Sequence, residues 1–397
     1  MDTTSKFIIS KKKIIIIICF FSAISIDSLP YILPSSIATI CNIWLPLMVS
    51  VYYLIKLLNL KKSKISNMIL LFFLLFIGST AIHDFNNLYW ILIQIAPTVA
   101  VVLLTEYYMR KSPDIYLKAL VDALFILLII DLVSIIMFPG GLYHSVLYTD
   151  CWFLGYKTPR VRLVTMPIVM LSAILSLQEN ERLNIRFWVI AIIAIFDTYL
   201  SKNMGGVVCI LGFLALLLVF YDSKHKKVRT CALKIFNFKV LLILVIGATV
   251  VVNIFQNLSV FSIVMDSFSE KNISMIARTR IWAACIDLFK KNPIFGNGYV
   301  LSGDFSRMVG FPEATQPHSI LMAVLVYTGV MGIAIFMMIL NKSLSFVKIK
   351  DGLSISAVCG CYIICVLFHG IISMHLFAPF LYGSMIILYY LSLDEKT

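Results

Sequence analysis

Apolar runs of about twenty residues recur along most of this chain, and that recurrence constrains its fold more than any single motif. At 1.5 Å of rise per residue, such a run matches the ~30 Å hydrocarbon slab of a bilayer. Backbone amides in lipid must find partners within the protein, which leaves helices or closed barrels, and runs this long argue against barrel strands. The composition agrees: 60% of the 397 residues are hydrophobic and the mean hydropathy is +0.96. A soluble core cannot cover that much apolar surface. The expected fold is all-α, a polytopic membrane helical bundle forming one integral membrane domain over residues 1–397. We place twelve spans, near 14–33, 37–58, 65–82, 88–108, 116–138, 161–178, 186–201, 204–221, 239–256, 317–340, 353–370 and 374–391.

Lys and Arg orient these spans, because they collect on the cytoplasmic side. With the N-terminus inside, 23 of the 33 Lys and Arg fall in inside segments, so both termini are expected to be cytoplasmic. The Lys11–Lys13 cluster and the apolar run after it resemble a signal peptide. No small-residue cleavage site follows, so this reads as a retained first helix. One long outside loop, 257–316, separates spans nine and ten. The net charge of +13 does not point to nucleic acid, since the cations sit in short loops and not on one soluble face.

Ten cations break the orientation rule: Lys157, Arg160, Arg162, Lys202, Lys271, Arg278, Arg280, Lys290, Lys291 and Arg307. Outward cations near a membrane suit an anion such as pyrophosphate, because arginine offers a planar fork to phosphate oxygens. The alternative is that they snorkel to headgroups at helix ends. We assign the alternative to Lys290, Lys291 and Arg307. Arg160, Arg162, Lys202, Arg278 and Arg280 are the candidate phosphate contacts.

Within the long loop, residues 276–291 read as an amphipathic helix, with Ala277, Ile281, Ala284, Cys285 and Leu288 at helical spacing. Pro293 stops it and Gly296-Asn297-Gly298 turns the chain. Arg278 and Arg280 are two residues apart, roughly 200° around a helix, so one ligand contacts one of them, and we favour Arg278. His318 stands where this wet segment meets span ten. An ionisable group there is either functional or an interfacial residue that ends a helix. His369 and His375 flank a short turn and serve either as proton-relay groups or as the polar link between two spans. No HExxH and no carboxylate pair at ligand spacing offers a metal site.

Taken together, ARTRIWAACIDLFKKNPIFGNG and HSILMAVLVYTGVMG resemble the O-antigen ligase and polymerase family, of the Wzy and WaaL type. Arg278, Trp282, Pro293, Gly296, Gly298, His318, Gly329 and Gly332 carry the resemblance. Ser319 stands where the family usually has Asn, and Ser201-Lys202 where it often has Ser-Arg. The resemblance implies glycosyl transfer on the outer face of a bacterial cytoplasmic membrane. The donor would be an oligosaccharide on a polyprenyl pyrophosphate, with His318 as base and no metal, nucleotide sugar or other cofactor. It further implies that repeat units are polymerised into O-antigen or capsule, or that glycan is ligated to lipid A-core. A chain-length regulator and a flippase would be partners. The rival class is a twelve-helix transporter, such as a flippase for lipid-linked sugars, working through Asp27, Asp122, Asp131 and Asp197.

Overall fold

The computed structural model describes residues 10–58, 60, 62–145, 150–221, 238–254, 273–310, 314–347 and 353–394. The inside segment at 222–237 and the first part of the long loop, 257–272 with Lys271, lie outside the described residues. In chain order the helices are α1 (Lys11–Ala23), α2 (Ser35–Leu58), α3 (Lys64–His83), α4 (Leu88–Lys111), α5 (Pro113–Met137), α6 (Lys157–Asn180) and α7 (Ile185–Leu200). They continue with α8 (Met204–Tyr221), α9 (Phe238–Ile254), α10 (Ile273–Lys291), α11 (Ser302–Val309), α12 (Ile320–Leu344), α13 (Ile355–His369) and α14 (Pro379–Asp394). Among the described residues there is no β-strand beyond two isolated bridges. The chain is an all-α, polytopic membrane protein. Among the described residues, six helical segments (α2, α3, α4 with the turn before it, α5, α6 and α12) are long and apolar enough to cross a bilayer, and four shorter apolar helices accompany them.

The first expected span ends early. α1 stops at Ala23, where Ile24 turns to extended backbone, instead of running to residue 33. The reason lies in α2: the Asn42 side chain accepts from the Ile26 amide and donates to the Ile26 carbonyl, both at 2.9 Å. Ile26 thus leaves the helix with its backbone groups satisfied. One helical turn forms at Leu29–Ile32 with Pro30 in its first turn, where a proline is tolerated, and Pro34 follows its extended cap at Leu33.

Packing gathers the residues into two units. The first, Met1–Lys61 with Ala96–Asn203, sets α1 against α2 and α5, and packs α5, α6 and α7 on one another. The second, Lys62–Ile95 with Met204–Thr397, packs α12 on α3 and α10, and α13 on α8, α9 and α14. Between lipid-embedded helices the association comes from close packing, because lipid is as apolar as leucine. Aromatic edges supply much of it in the second unit: Phe73 on Tyr382 at 5.1 Å, Phe76 on Tyr327 at 5.5 Å and Phe72 on Phe336 at 5.8 Å between centroids.

Candidate active site

In the second unit, α10 presents one buried stripe: Ile281, Trp282, Cys285 and Leu288 are each at most 2% exposed. Arg278 precedes Trp282 by four residues and therefore lies on the same face. Arg278 is half-buried while Arg280 is exposed, as their angular separation requires. The Trp282 indole Nε1 donates to the Pro317 carbonyl at 2.9 Å, in a fully buried contact. This bond ties the face that carries Arg278 to the residue just before His318.

Past Pro293 the chain folds against the middle of α12. Gly329 breaks that helix with φ 63° and ψ −160°, and is buried. It lies nine residues past the helix start, ~14 Å along the axis and about half the depth of a bilayer. A break at that depth strands amides and carbonyls, which is tolerated only where protein covers them. Residues 293–298 cover them. Val330 and Met331 donate to the Pro293 and Ile294 carbonyls at 2.9 and 3.2 Å, and Asn297 and Gly298 donate to Val326 and Tyr327 at 2.8 and 3.0 Å. The Asn297 side chain adds bonds to Leu288 and Val326 at 3.1 and 3.2 Å. The fit leaves no room for side chains. A Cβ on Gly296 would fall on the Tyr327–Thr328 peptide, and one on Gly329 would fall on the Pro293 and Ile294 carbonyls. Both residues also have positive φ, which only glycine adopts without strain.

His318 sits outside α12. Ser319 is the N-cap and the helix begins at Ile320. His318 has φ 51°, a left-handed conformation that costs a side-chain-bearing residue ~1–2 kcal/mol. Two anchors hold it there: Trp282 on the Pro317 carbonyl, and the Ile320 amide, which donates to the Gly370 carbonyl at 2.8 Å. The half-buried imidazole has its pKa pushed down to about 4, first by burial and then by the Arg278 charge. His318 is therefore neutral at pH 7, with a nitrogen lone pair ready to accept a proton. Arg278 also acts electrostatically on His369, which is hydrogen-bonded to His375.

The remaining sequence candidates belong to the first unit. Lys202 follows α7 with φ 57°. Its amide donates to Tyr199 at 2.9 Å and that of Asn203 to Thr198 at 3.1 Å, a Schellman closure with lysine in the usual glycine slot. The Lys202 side chain is 73% exposed and lies 3.8 Å from the Asp150 carboxylate. Arg162 is half-buried and interacts with Asp27.

Arg160 is different. It is 1% exposed, with Nε 2.8 Å from Asp131 and a terminal nitrogen 3.1 Å from Asp197, both carboxylates being fully buried. Its guanidinium lies 5.2 Å from the centre of the Trp152 ring. Asp131 also accepts from the Leu154 amide at 2.9 Å, which pins the segment before α6. This trio fastens α5, α6 and α7 and holds Arg160 in a buried ion-pair cluster. The acids a transporter would use are engaged too: Asp131 and Asp197 with Arg160, and Asp122 with Lys13 and Arg186.

The Trp282–Pro317 bond thus ties the helix face that carries Arg278 to the residue before His318, and the Ile320–Gly370 bond brings the turn of His369 and His375 to the residue two after it. Trp282 appears in the motif, but its bond to Pro317 spans 35 residues. Beside this cluster, α8, α9 and α13 line an apolar cleft of about 560 Å³ that includes Val208, Gly212, Leu244, Ile364 and Phe368. No curated protein matches the sequence. Residues 189–337, which include Lys202, Arg278 and His318, match the family model Wzy_C, described as O-antigen ligase.

Proposed function

We propose that this protein is a membrane glycosyltransferase that takes an oligosaccharide from a polyprenyl pyrophosphate on the outer face of the bacterial cytoplasmic membrane. The observation that carries the proposal is the pairing of Arg278 with His318 across the Trp282–Pro317 bond. An acceptor hydroxyl attacks the anomeric carbon and loses its proton to the His318 imidazole. The bond from that carbon to the pyrophosphate oxygen breaks, with inversion. Arg278 offers two parallel N–H groups to the departing phosphate oxygens, where negative charge grows. Bound pyrophosphate also offsets the Arg278 charge, so His318 becomes a stronger base when the donor is present. The apolar cleft beside α13 suits a polyprenyl chain. The chemistry calls for no metal, because pyrophosphate is already an activated leaving group.

For the acceptor we favour a second lipid-linked repeat unit, which makes the protein a polymerase of O-antigen or capsule. The sequence places more cations on its outward segments than one pyrophosphate uses, among them Arg280, Lys202 and Arg162, and such an excess favours handling two anionic headgroups. Arg160 is left out of the anion site because Asp131 and Asp197 already neutralise it. The family description favours a second reading, a ligase with lipid A-core as acceptor. Both readings share the base and the leaving-group contact. The test is transfer by the purified protein from a lipid-linked oligosaccharide in detergent or nanodiscs. Wild type should extend or transfer the glycan, and His318→Ala should leave the donor unchanged. Equal turnover by both proteins would remove His318 from the mechanism.

A further inference from the structure

The chain turns between α13 and α14 in a short segment that closes on itself through two histidines. His375 Nε2 and His369 Nδ1 are 2.6 Å apart, with ring centroids 4.7 Å apart and planes inclined by 34°. His369 is 7% exposed and His375 1%, so neither reaches solvent freely. Two imidazole nitrogens at that distance share one hydrogen: one ring donates it and the other offers its lone pair. The pair therefore couples the tautomers of the two rings, one donating where the other accepts, and closes the residues between them into a loop. That loop carries Gly370, whose carbonyl accepts the Ile320 amide at 2.8 Å. The two segments are in contact, since a Cβ on Gly370 would meet Ile320 Cβ at 3.4 Å, an ordinary van der Waals distance.

His318 needs such support. A strained left-handed residue persists only where its surroundings over-determine it. Trp282 fixes its N-terminal side through Pro317, and the Gly370 loop fixes its C-terminal side through Ile320. Removing either support lets the imidazole drift, and a displacement of about 1 Å at a reacting group can cost on the order of 100-fold in rate.

We propose that the His369–His375 pair is a positioning element for His318: its shared hydrogen closes the turn whose Gly370 carbonyl holds the start of α12. The proposal rests on the reading of His318 as the base. Neither histidine of the pair touches substrate. A second proton would place two N–H donors face to face and open the closure, so the positioning fails in acid. The groups around the pair bear on that proton. Arg278 on α10 acts on His369, and His318 precedes α12. Cys209 on α8 donates to the Cys365 carbonyl one turn before His369, and the Tyr382 hydroxyl on α14 donates to the Leu376 carbonyl.

The test uses the full-length protein in nanodiscs with a lipid-linked oligosaccharide donor. His375→Phe fills the space without the hydrogen bond. It should lower kcat roughly tenfold to 100-fold while leaving the donor KM within about twofold, the pattern of a misplaced catalytic group and not of lost binding. His375→Gln places an amide N–H near the Nε2 position and cannot take a second proton. It should keep most of the rate, with the acid limb of the profile moved to lower pH. Wild-type kcat and acid limb in His375→Phe would overturn the proposal, as would His375→Gln as slow as His375→Phe. Histidine-selective 15N spectra of the wild-type chain give a reading that needs no variant. One proton coupled to two ring nitrogens is expected, and its absence would also overturn the proposal. A wild-type protein inactive on every lipid-linked donor would instead defeat the glycosyltransferase reading, while the spectra still report on the pair.

Discussion

Gly296→Ala is the sharpest structural perturbation that leaves the candidate catalytic residues untouched. Alanine at φ 73° costs ~1–2 kcal/mol from left-handed backbone alone. Its Cβ would overlap the Tyr327–Thr328 peptide, which is backbone and cannot rotate aside. The loop must then lift from α12, weakening four backbone bonds: Asn297 to Val326, Gly298 to Tyr327, Val330 to Pro293 and Met331 to Ile294. At ~0.5–1.5 kcal/mol net for each bond, the loss reaches ~2–6 kcal/mol. The total is enough to lower the melting temperature by at least roughly 5 °C. Fluorescence-detected size-exclusion melting in detergent measures that shift, and glycan transfer by the surviving protein measures the effect at His318. Gly78→Ala is the control, because nothing lies within 4 Å of its added Cβ and it sits inside helix α3. Gly78→Ala should melt at or slightly above the wild-type temperature. If Gly296→Ala melts and turns over like Gly78→Ala, the docking of residues 293–298 into the α12 break is wrong.

Arg278→Lys should stay impaired if leaving-group binding needs the planar fork, and full activity in it would leave only a charge role. Arg278→Gln removes one of the two causes that hold His318 near pKa 4, so the acid limb of its kcat/KM profile should move to higher pH than in wild type. Because unfolded His318 takes a proton below about pH 6.5 and folded His318 only near 4, stability should fall as pH drops through that window. Arg160→Met strands two buried carboxylates and should cost ~3–5 kcal/mol, seen as poor accumulation of folded protein. Neutralising Asp131 and Asp197 in the same chain, as Asp131→Asn and Asp197→Asn, should restore it. Activity should survive EDTA, and a stringent metal requirement would contradict the mechanism. An impermeant thiol reagent should label Ser302→Cys in intact cells if residues 257–316 face outward.

The helical membrane fold was legible because apolar runs report directly on the solvent around them. The end of α1 was not. Its cause is a contact from Asn42 to Ile26, and hydropathy is blind to long-range partners. Arg278 and His318 stood out as cations and imidazole at wet edges of apolar runs, while the bond that joins their segments, Trp282 to Pro317, crosses 35 residues. The glycines of the GNG run are conspicuous in the sequence. Their task is visible only once α12 is seen to break at Gly329, since a helix interrupted by one glycine reads as continuous. Arg160 shows what charge counting leaves out. Charge counting groups it with the ligand-facing cations, but Asp131 lies 29 residues before it and Asp197 37 after it, and folding brings the three together.

The most direct test of the proposed polymerase is the surface glycan of the native host after deletion of this gene. Acceptors capped with single repeat units and no ladder are expected, with the ladder restored by wild type and not by His318→Ala. A bare acceptor with long polymer accumulating on the lipid carrier would make the protein a ligase, and an unchanged ladder would contradict the account altogether.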